Sequence, residues 1–329
     1  MAPNATILGG IAGPILAADE AAFFREADPW GFILFGRNVD SPDQLRRLTN
    51  DLRDAVGRDA VITVDQEGGR VQRLRAPHWN EWPAPLDQAA SGPRAMWLRY
   101  HLIGQELRAV GIDSNCAPTL DVAQEGTHPF LLNRCLGTDP ARIAELGRAA
   151  ADGMLAAGVL PVIKHMPGHG RAVADSHHDL PVVDAAAADL EALDFAPFRA
   201  LSDLPMGMTA HIRFTALDDQ PATASSRMIG LIRNRIGFDG LLMTDDITMN
   251  ALSGTEAERA RASIEAGCDL VLHCNGTVAQ MEPVAQAAGT MTADAARRAD
   301  AALALRRAPQ DTDIRSLMAE WQTLTGAVA

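Results

Sequence analysis

No stretch of about 18 uninterrupted apolar residues occurs in this chain, so no helix is expected to cross a membrane. The first residues, MAPNATILGGIAG, lack both a basic start and a long apolar run and do not read as a secretory signal. Cysteine is scarce: Cys116, Cys135, Cys268 and Cys274 lie far apart and show no paired metal-ligand spacing. Cys268 and Cys274 read as reduced core residues rather than a bridge, which suits the cytoplasm. Positive charge is also short. The 29 Lys and Arg against 42 Asp and Glu leave a net charge of -13, which repels nucleic acid and anionic membrane surfaces. Neither a low-complexity segment nor a linker rich in Pro, Gly or Ser interrupts the chain, so residues 1–329 are expected to form one domain.

What is present is an ample hydrophobic fraction, 47%, arranged in short apolar runs that alternate with helical patterns. Strands are expected at Thr6–Leu8, Gly31–Phe35, Ala60–Val64, Asp113–Ala117, Leu160–Lys164, Met206–Ala210, Leu241–Thr244 and Leu270–Cys274. Between them, Ser41 reads as an N-cap, with Pro42 at the first helical position and Gln44 three residues on; Leu45, Leu48, Leu52 and Val56 then line one face. Asp139 and Pro140 open a second helix that Gly158 closes, and a third runs from about Thr255 to Ala266 ahead of Gly267. The tail from about Asp311 to Leu324 reads as a further amphipathic helix. Strand-then-helix units in this number favour an α/β fold, a single TIM-type (β/α)8 barrel, over a doubly wound sheet.

The stretch KHMPGHGRAVADSHHDLP gathers His165, His169, His177 and His178 with Lys164, Asp175 and Asp179 in one glycine-punctuated loop at the end of a strand. Barrel folds build their sites at such carboxyl ends. Other strand ends carry polar residues too: Asp65, Gln66, Glu67, Arg70, Gln72 and Arg73; Asp121 and Arg134; His211; Asp245 and Asp246. Each alone is as readily a cap or turn residue, but together they predict one polar mouth. Asp65, Asp175 and Asp245 with Arg73, Arg134 and Lys164 suit a neutral, hydroxyl-rich ligand such as a sugar. A strand-end carboxylate can serve as nucleophile or stabiliser of an oxocarbenium-like transition state while a second group protonates the leaving oxygen. His177, oriented by Asp175, suits that second role.

Two other readings use the same region. A metal-dependent hydrolase would take His165, His169, His177 and Asp179 as ligands, although no HExxH spacing accompanies them. A barrel that binds sugar without turning it over is the other. Of Asp245 and Asp246, only one should face the mouth, because successive strand side chains alternate. Trp79 and Trp82 are candidates either for stacking on a sugar ring or for packing in the core or a lid.

Taken in order, GFILFGRN, VDQEGGRVQR, KHMPGHG, DSHHDLP and LLMTDDITM span nearly the whole chain. In these motifs the sequence resembles the β-N-acetylglucosaminidases of glycoside hydrolase family 3, in particular the single-domain bacterial cytoplasmic type that takes part in cell-wall recycling. The resemblance implies a TIM-type barrel and retaining hydrolysis through a covalent glycosyl-aspartate, without metal or cofactor. It makes Asp245 the nucleophile, the Asp175/His177 pair the acid/base, and Asp65, Arg73, Arg134, Lys164 and His165 the ligands of the terminal N-acetylglucosamine. The implied substrates are muropeptide fragments and small glycosides and the implied location is the cytoplasm; the sequence is silent on oligomeric state, and monomer is the default expectation. Met166, Cys135 and Leu136 depart from the family pattern of Phe, Ser and Phe. The Gly168 and Gly170 loop is expected to move and deliver His177 after sugar binding.

Overall fold

The computed structural model describes residues 2–174, 176, 178–308 and 312–326. Eight parallel strands close on themselves: β1 (Asn4–Leu8), β2 (Pro29–Leu34), β3 (Val61–Val64), β4 (Ser114–Asn115), β5 (Leu160–Met166), β6 (Met206–Thr209), β7 (Leu241–Asp246) and β8 (Leu270–His273). Each strand pairs with its neighbours in sequence, and β8 returns to β1 with Val271 opposite Thr6. This is the (β/α)8 barrel expected from the sequence, with each expected strand present. β4 is shorter than expected: its pairing narrows to two residues ahead of Pro118, which has no N–H to donate.

A parallel sheet covered on both faces explains the continuous apolar runs. Strand side chains still alternate between the barrel interior and the helix layer. Ile7, Ile33, Val61, Val162, Met206, Met243 and Leu270 fill the barrel interior. Leu8, Phe32, Leu34, Ile62, Ile163 and Leu242 point outward and pack under the helices. The helix Pro42–Val56 forms as its cap sequence dictates: the Gln44 amide N–H donates to Ser41 Oγ at 3.4 Å, and Gln44 Oε1 accepts from the backbone of Asp40 and Ser41. Leu45, Leu48 and Leu52 are buried along it. Helices Pro140–Ala156 and Glu256–Ala266 start at Asp139 and Thr255 as read from the sequence. The tail forms Ile314–Thr325 and docks through Trp321, whose ring meets Trp82 edge-on at 5.1 Å. No helix among the described residues is long and apolar enough to cross a membrane. All four cysteines are buried and unbridged.

One device closes the amino-terminal end of the barrel twice. Asp113, just before β4, accepts the Ile62 N–H at 2.8 Å and binds Arg53 and Arg306 at 3.0 and 2.7 Å. Asp269, just before β8, accepts the Leu242 N–H at 2.9 Å and binds Arg233 and Arg298 at 2.6 and 3.0 Å. These networks lie at the end opposite the mouth, where side chains serve stability rather than chemistry.

Beyond β5 the glycines of the loop are closely packed. Gly168 and Gly170 are buried. A Cβ on Gly170 would lie 1.9 Å from the Val122 carbonyl oxygen, and one on Gly168 would lie 3.0 Å from Asp194. Gly168 also has φ of +143°. These glycines permit close backbone approach. Further along, Val182–Val183 pairs in parallel with Arg213–Phe214, tying the end of the loop to the segment after β6.

Candidate active site

The loop after β3 is the rigid floor of the site. Gln66 staples it: its side chain accepts from the Arg73 and Leu74 amides at 2.8 and 3.1 Å and donates to the Leu74 carbonyl at 2.9 Å. Gly68 and Gly69 turn the chain at φ of +108° and +58°. A Cβ on Gly68 would meet the Arg99 guanidinium at 2.0 Å. That fully buried arginine donates to the Glu67 carbonyl and to Gln88 Oε1, both at 2.6 Å, fixing the turn from beneath.

From this base rises a buried ion network. Lys164 Nζ sits 3.1 Å from Asp65 and 2.7 Å from Glu67. Arg134 meets Glu67 with Nε at 3.0 Å and Nη2 at 2.8 Å, and Arg73 meets Asp65 at 3.0 Å. Burial alone would raise both carboxyls. Lys164, Arg73 and Arg134 overcome it and hold Asp65 well below the usual carboxylate range, while Arg134 and Lys164 bring Glu67 down to about 2. Burial would likewise lower the two cations, and the carboxylates reverse it, holding Lys164 and Arg134 above their ordinary values. The network therefore stays charged at neutral pH.

Two histidines share one clamp. The buried Asp121 carboxylate accepts the His165 and His169 backbone N–H groups through Oδ1 at 3.2 and 2.6 Å, and takes His165 Nδ1 on Oδ2 at 2.7 Å. Burial opposes ionisation of Asp121, but His165 and the donated hydrogen bonds keep its carboxyl low. An ionised carboxylate only accepts, so the proton lies on His165 Nδ1 and the Nε2 edge faces the cavity. Lys164 and His165 both line that cavity, and the peptide between them is cis.

At the end of β7 two adjacent aspartates both line the cavity, where alternation along the strand predicts one, and they differ in what holds them. Asp246 is occupied by its own turn: its carboxylate accepts from Thr248 N and Cys274 N at 3.0 and 3.1 Å and from Thr248 Oγ1 at 2.7 Å. Among the described residues Asp245 accepts one hydrogen bond, from the Asp246 amide at 2.8 Å on Oδ1. Its Oδ2 stands 4.0 Å from His165 Nε2. Burial would raise this carboxyl; the His165 and His211 imidazoles and the Asp246 amide outweigh it and hold it below its ordinary value.

These groups open onto one cavity of about 310 Å³. Its polar side carries Asp65, Arg73, Arg134, Lys164, His165 and Asp245; its apolar side carries Ile33, Met208, Met249, Leu272 and Cys274. Phe35 and Phe130 supply the aromatic rings, Phe35 held between the Arg37 and Arg73 guanidiniums at 4.7 and 5.4 Å from its centre. Trp79 and Trp82 do not line it. Trp82 is buried with its indole N–H donating to Glu106 at 3.1 Å, and Trp79 packs on the core, so of the two roles read for them packing is the one observed.

Every sugar-ligand candidate from the sequence, together with Asp245, thus reaches one cavity. Asp175 and His177 lie outside the described residues; Ser176 between them lines the cavity and is buried. His178 and Asp179 are exposed and absent from the lining. The metal-site reading is not met among the described residues: Asp179 stands apart, His165 Nδ1 is taken by Asp121, and no three His, Cys, Asp or Glu side chains converge. The sequence named Glu67 and Asp121 only as polar strand-end residues and His169 only as a metal ligand. Their roles depend on partners far along the chain; the one local sign was that Asp65 and Glu67, two residues apart, share a side of an extended segment.

His169 is buried in the cavity wall, and burial, reinforced by His165, brings its imidazole down to about 4. Burial also lowers His101 and His211. Unfolded histidine binds its proton near pH 6.5. Between about pH 6.5 and 4 the unfolded chain therefore binds more protons than the folded one, and stability falls as pH falls. We expect the thermal midpoint to drop across this window and His169→Gln to flatten part of the drop, as scanning calorimetry would show; an unchanged slope in the variant would contradict the assignment.

Residues 17–304 match the glycosyl hydrolase family 3 N-terminal domain. The chain is 38% identical over 286 residues to a β-hexosaminidase of Bordetella avium (strain 197N), covering 83% of this chain and 81% of that protein. Among solved structures, a glycoside hydrolase family 3 β-N-acetylglucosaminidase from Paenibacillus sp. str. FPU-7 superposes with a TM-score of 0.87 at 30% identity, covering 98% of this chain and 68% of that one. NagZ from Neisseria gonorrhoeae, solved with N-trifluoroacetyl-D-glucosamine, gives 0.85 at 30% identity and covers 99% of this chain and 98% of its own. Barrel, polar mouth and relatives together make the protein a glycoside hydrolase. Within that class the chain belongs to glycosyl hydrolase family 3.

Proposed function

We propose that the protein is a retaining exo-β-N-acetylglucosaminidase. It removes a terminal β-linked N-acetylglucosamine from muropeptide fragments during cytoplasmic cell-wall recycling, acting as a monomer without metal or cofactor. The observation that carries the chemistry is Asp245. Among the described residues it is the one cavity-lining carboxylate that is neither paired with Lys or Arg, like Asp65, nor bound up in its own turn, like Asp246; its charged contact is His165 Nε2 at 4.0 Å. A carboxylate kept ionised, with one oxygen directed by a backbone N–H and the other accepting no hydrogen bond among the described residues, suits attack on an anomeric carbon.

In the first step Asp245 Oδ2 bonds to C1 as the glycosidic C–O bond breaks, and the departing oxygen takes a proton from His177, oriented by Asp175. In the second step His177 takes a proton from water as the water oxygen displaces Asp245 from C1, regenerating the carboxylate and leaving the β-anomer. The position of Ser176 in the cavity wall supports placing this acid/base pair on the β5 loop. Asp65, Arg73, Arg134, Lys164 and His165 hold the sugar hydroxyls through charge-assisted hydrogen bonds. A 310 Å³ cavity over a packed barrel interior suits one sugar ring and supports action at a chain end. The N-trifluoroacetyl-D-glucosamine bound by the Neisseria protein supports the choice of sugar.

The test is turnover of an aryl β-N-acetylglucosaminide and of N-acetylglucosaminyl-anhydromuramyl peptide, with NMR of the first-formed anomer. Release from both with the β-anomer first is expected, unaffected by exhaustive chelation. Binding without release would favour the sugar-binding barrel, and zinc-restored activity would overturn the metal-free mechanism.

A further inference from the structure

We propose that Glu67, which touches no ligand, is the positioning residue that aims Lys164 and Arg134 at the sugar. Its side chain is 1% exposed and absent from the cavity lining, yet its carboxylate contacts Lys164 Nζ at 2.7 Å and Arg134 Nε and Nη2 at 3.0 and 2.8 Å. Thr119 Oγ1 adds a long contact at 3.5 Å. Both cations do line the cavity. Long, flexible side chains left to themselves would lose rotamer freedom only when sugar arrived. Glu67 orders them beforehand, and the Arg99-locked Gly68–Gly69 turn orders Glu67.

Two physical features set Glu67 apart from a mere buried ion pair. Paired with a carboxylate alone, two cations would be immobilised away from the ligand; here the same cations also reach Asp65 and His165, which border the sugar space. Glu67 also sets the charge of Lys164. The ionisable groups acting on that ammonium are Glu67, Asp65, Arg134 and Cys116, with Tyr100 and Asp245 coupled to it more weakly. Burial lowers it and the two carboxylates raise it. Removing the nearer carboxylate leaves Asp65 as the close counter-charge, so Lys164 releases its proton at lower pH.

The inference rests on the proposed sugar-binding role of Lys164 and Arg134, and the experiment separates the two. Glu67→Gln and Glu67→Asp are compared with wild type for KM and kcat on an activated aryl N-acetylglucosaminide, for the pH dependence of N-acetylglucosamine affinity, and for thermal midpoint. In Glu67→Gln we expect KM to rise about 10–100-fold, the equivalent of one to two charge-assisted hydrogen bonds, with kcat changed far less, because the grip is common to ground and transition states. Affinity should also begin to fall at lower pH than in wild type. Glu67→Asp retains the charge but not the reach: KM rises and the alkaline loss of affinity stays near its wild-type pH. Wild-type KM in a folded Glu67→Gln, or in a folded Glu67→Asp should the first variant fail to fold, overturns the inference. Equal losses in kcat and stability without a KM effect do the same, reducing Glu67 to a core residue. Lys164→Ala and Arg134→Ala variants that bind N-acetylglucosamine as tightly as wild type would instead sink the sugar-binding role itself.

Discussion

Asp245→Ala should abolish turnover of every glycoside, with kcat falling on the order of 10⁴-fold or more, as when an enzyme loses its nucleophile. The carboxylate sits at the end of β7 with one oxygen fixed by the Asp246 amide, and no other described cavity carboxylate stands ready to replace it. Asp65 is 3.0–3.1 Å from two cations, and Asp246 is tied to Thr248 and Cys274. The loss should be blind to leaving group, because the bond from Asp245 to C1 is made with every substrate. The fold should persist: the variant removes a buried charge whose one hydrogen bond among the described residues is local. Steady-state kinetics on activated and unactivated substrates, beside a circular dichroism melt, decide the matter. Residual turnover within tenfold of wild type would remove Asp245 from the nucleophile's place.

His177→Ala should behave differently. An unactivated glycoside needs its leaving oxygen protonated in the first step, and a positioned acid contributes about 10²–10⁴-fold. An aryl glycoside with a strongly acidic phenol leaves without that proton. The variant should therefore lose about 10²–10⁴-fold in kcat/KM on the muropeptide and little in kcat/KM on the activated aryl substrate, while kcat on the latter falls because water attack still lacks its base. Equal losses in kcat/KM on both substrates would deny His177 the role of acid.

The contrast between Asp245 and Glu67 shows how far the sequence is legible. Most of the strands could be read because a strand buried on both faces is a near-continuous apolar run, which is local information; β4, Ser114–Asn115, is polar and is the exception. The pairing of Val182–Val183 with Arg213–Phe214 could not, since two-residue strands carry no period. Strand ends announced Asp65, Arg73, Lys164 and Asp245 only as a group, because a cap or turn explains any one polar residue after an apolar run but not several strand ends together. Glu67 and Asp121 act on partners 67 and 44 residues away, and no local pattern marks a residue whose task is to hold another. The close packing of Gly170 against the Val122 carbonyl was not legible either, because a glycine that permits close contact looks like any other in sequence. Alternation along a strand predicts one of Asp245 and Asp246 at the mouth; both line the cavity, and the hydrogen bonds of Asp246 tell them apart.

The most direct measurement is intact-mass analysis after incubation with a slow fluorinated N-acetylglucosamine analogue, followed by peptide mapping of the labelled residue. A single glycosyl adduct on the peptide containing Asp245, with the ester at that side chain, is the expected result. An adduct on any other residue, or a catalytically active enzyme that never accumulates one and releases the α-anomer, would contradict covalent catalysis by Asp245.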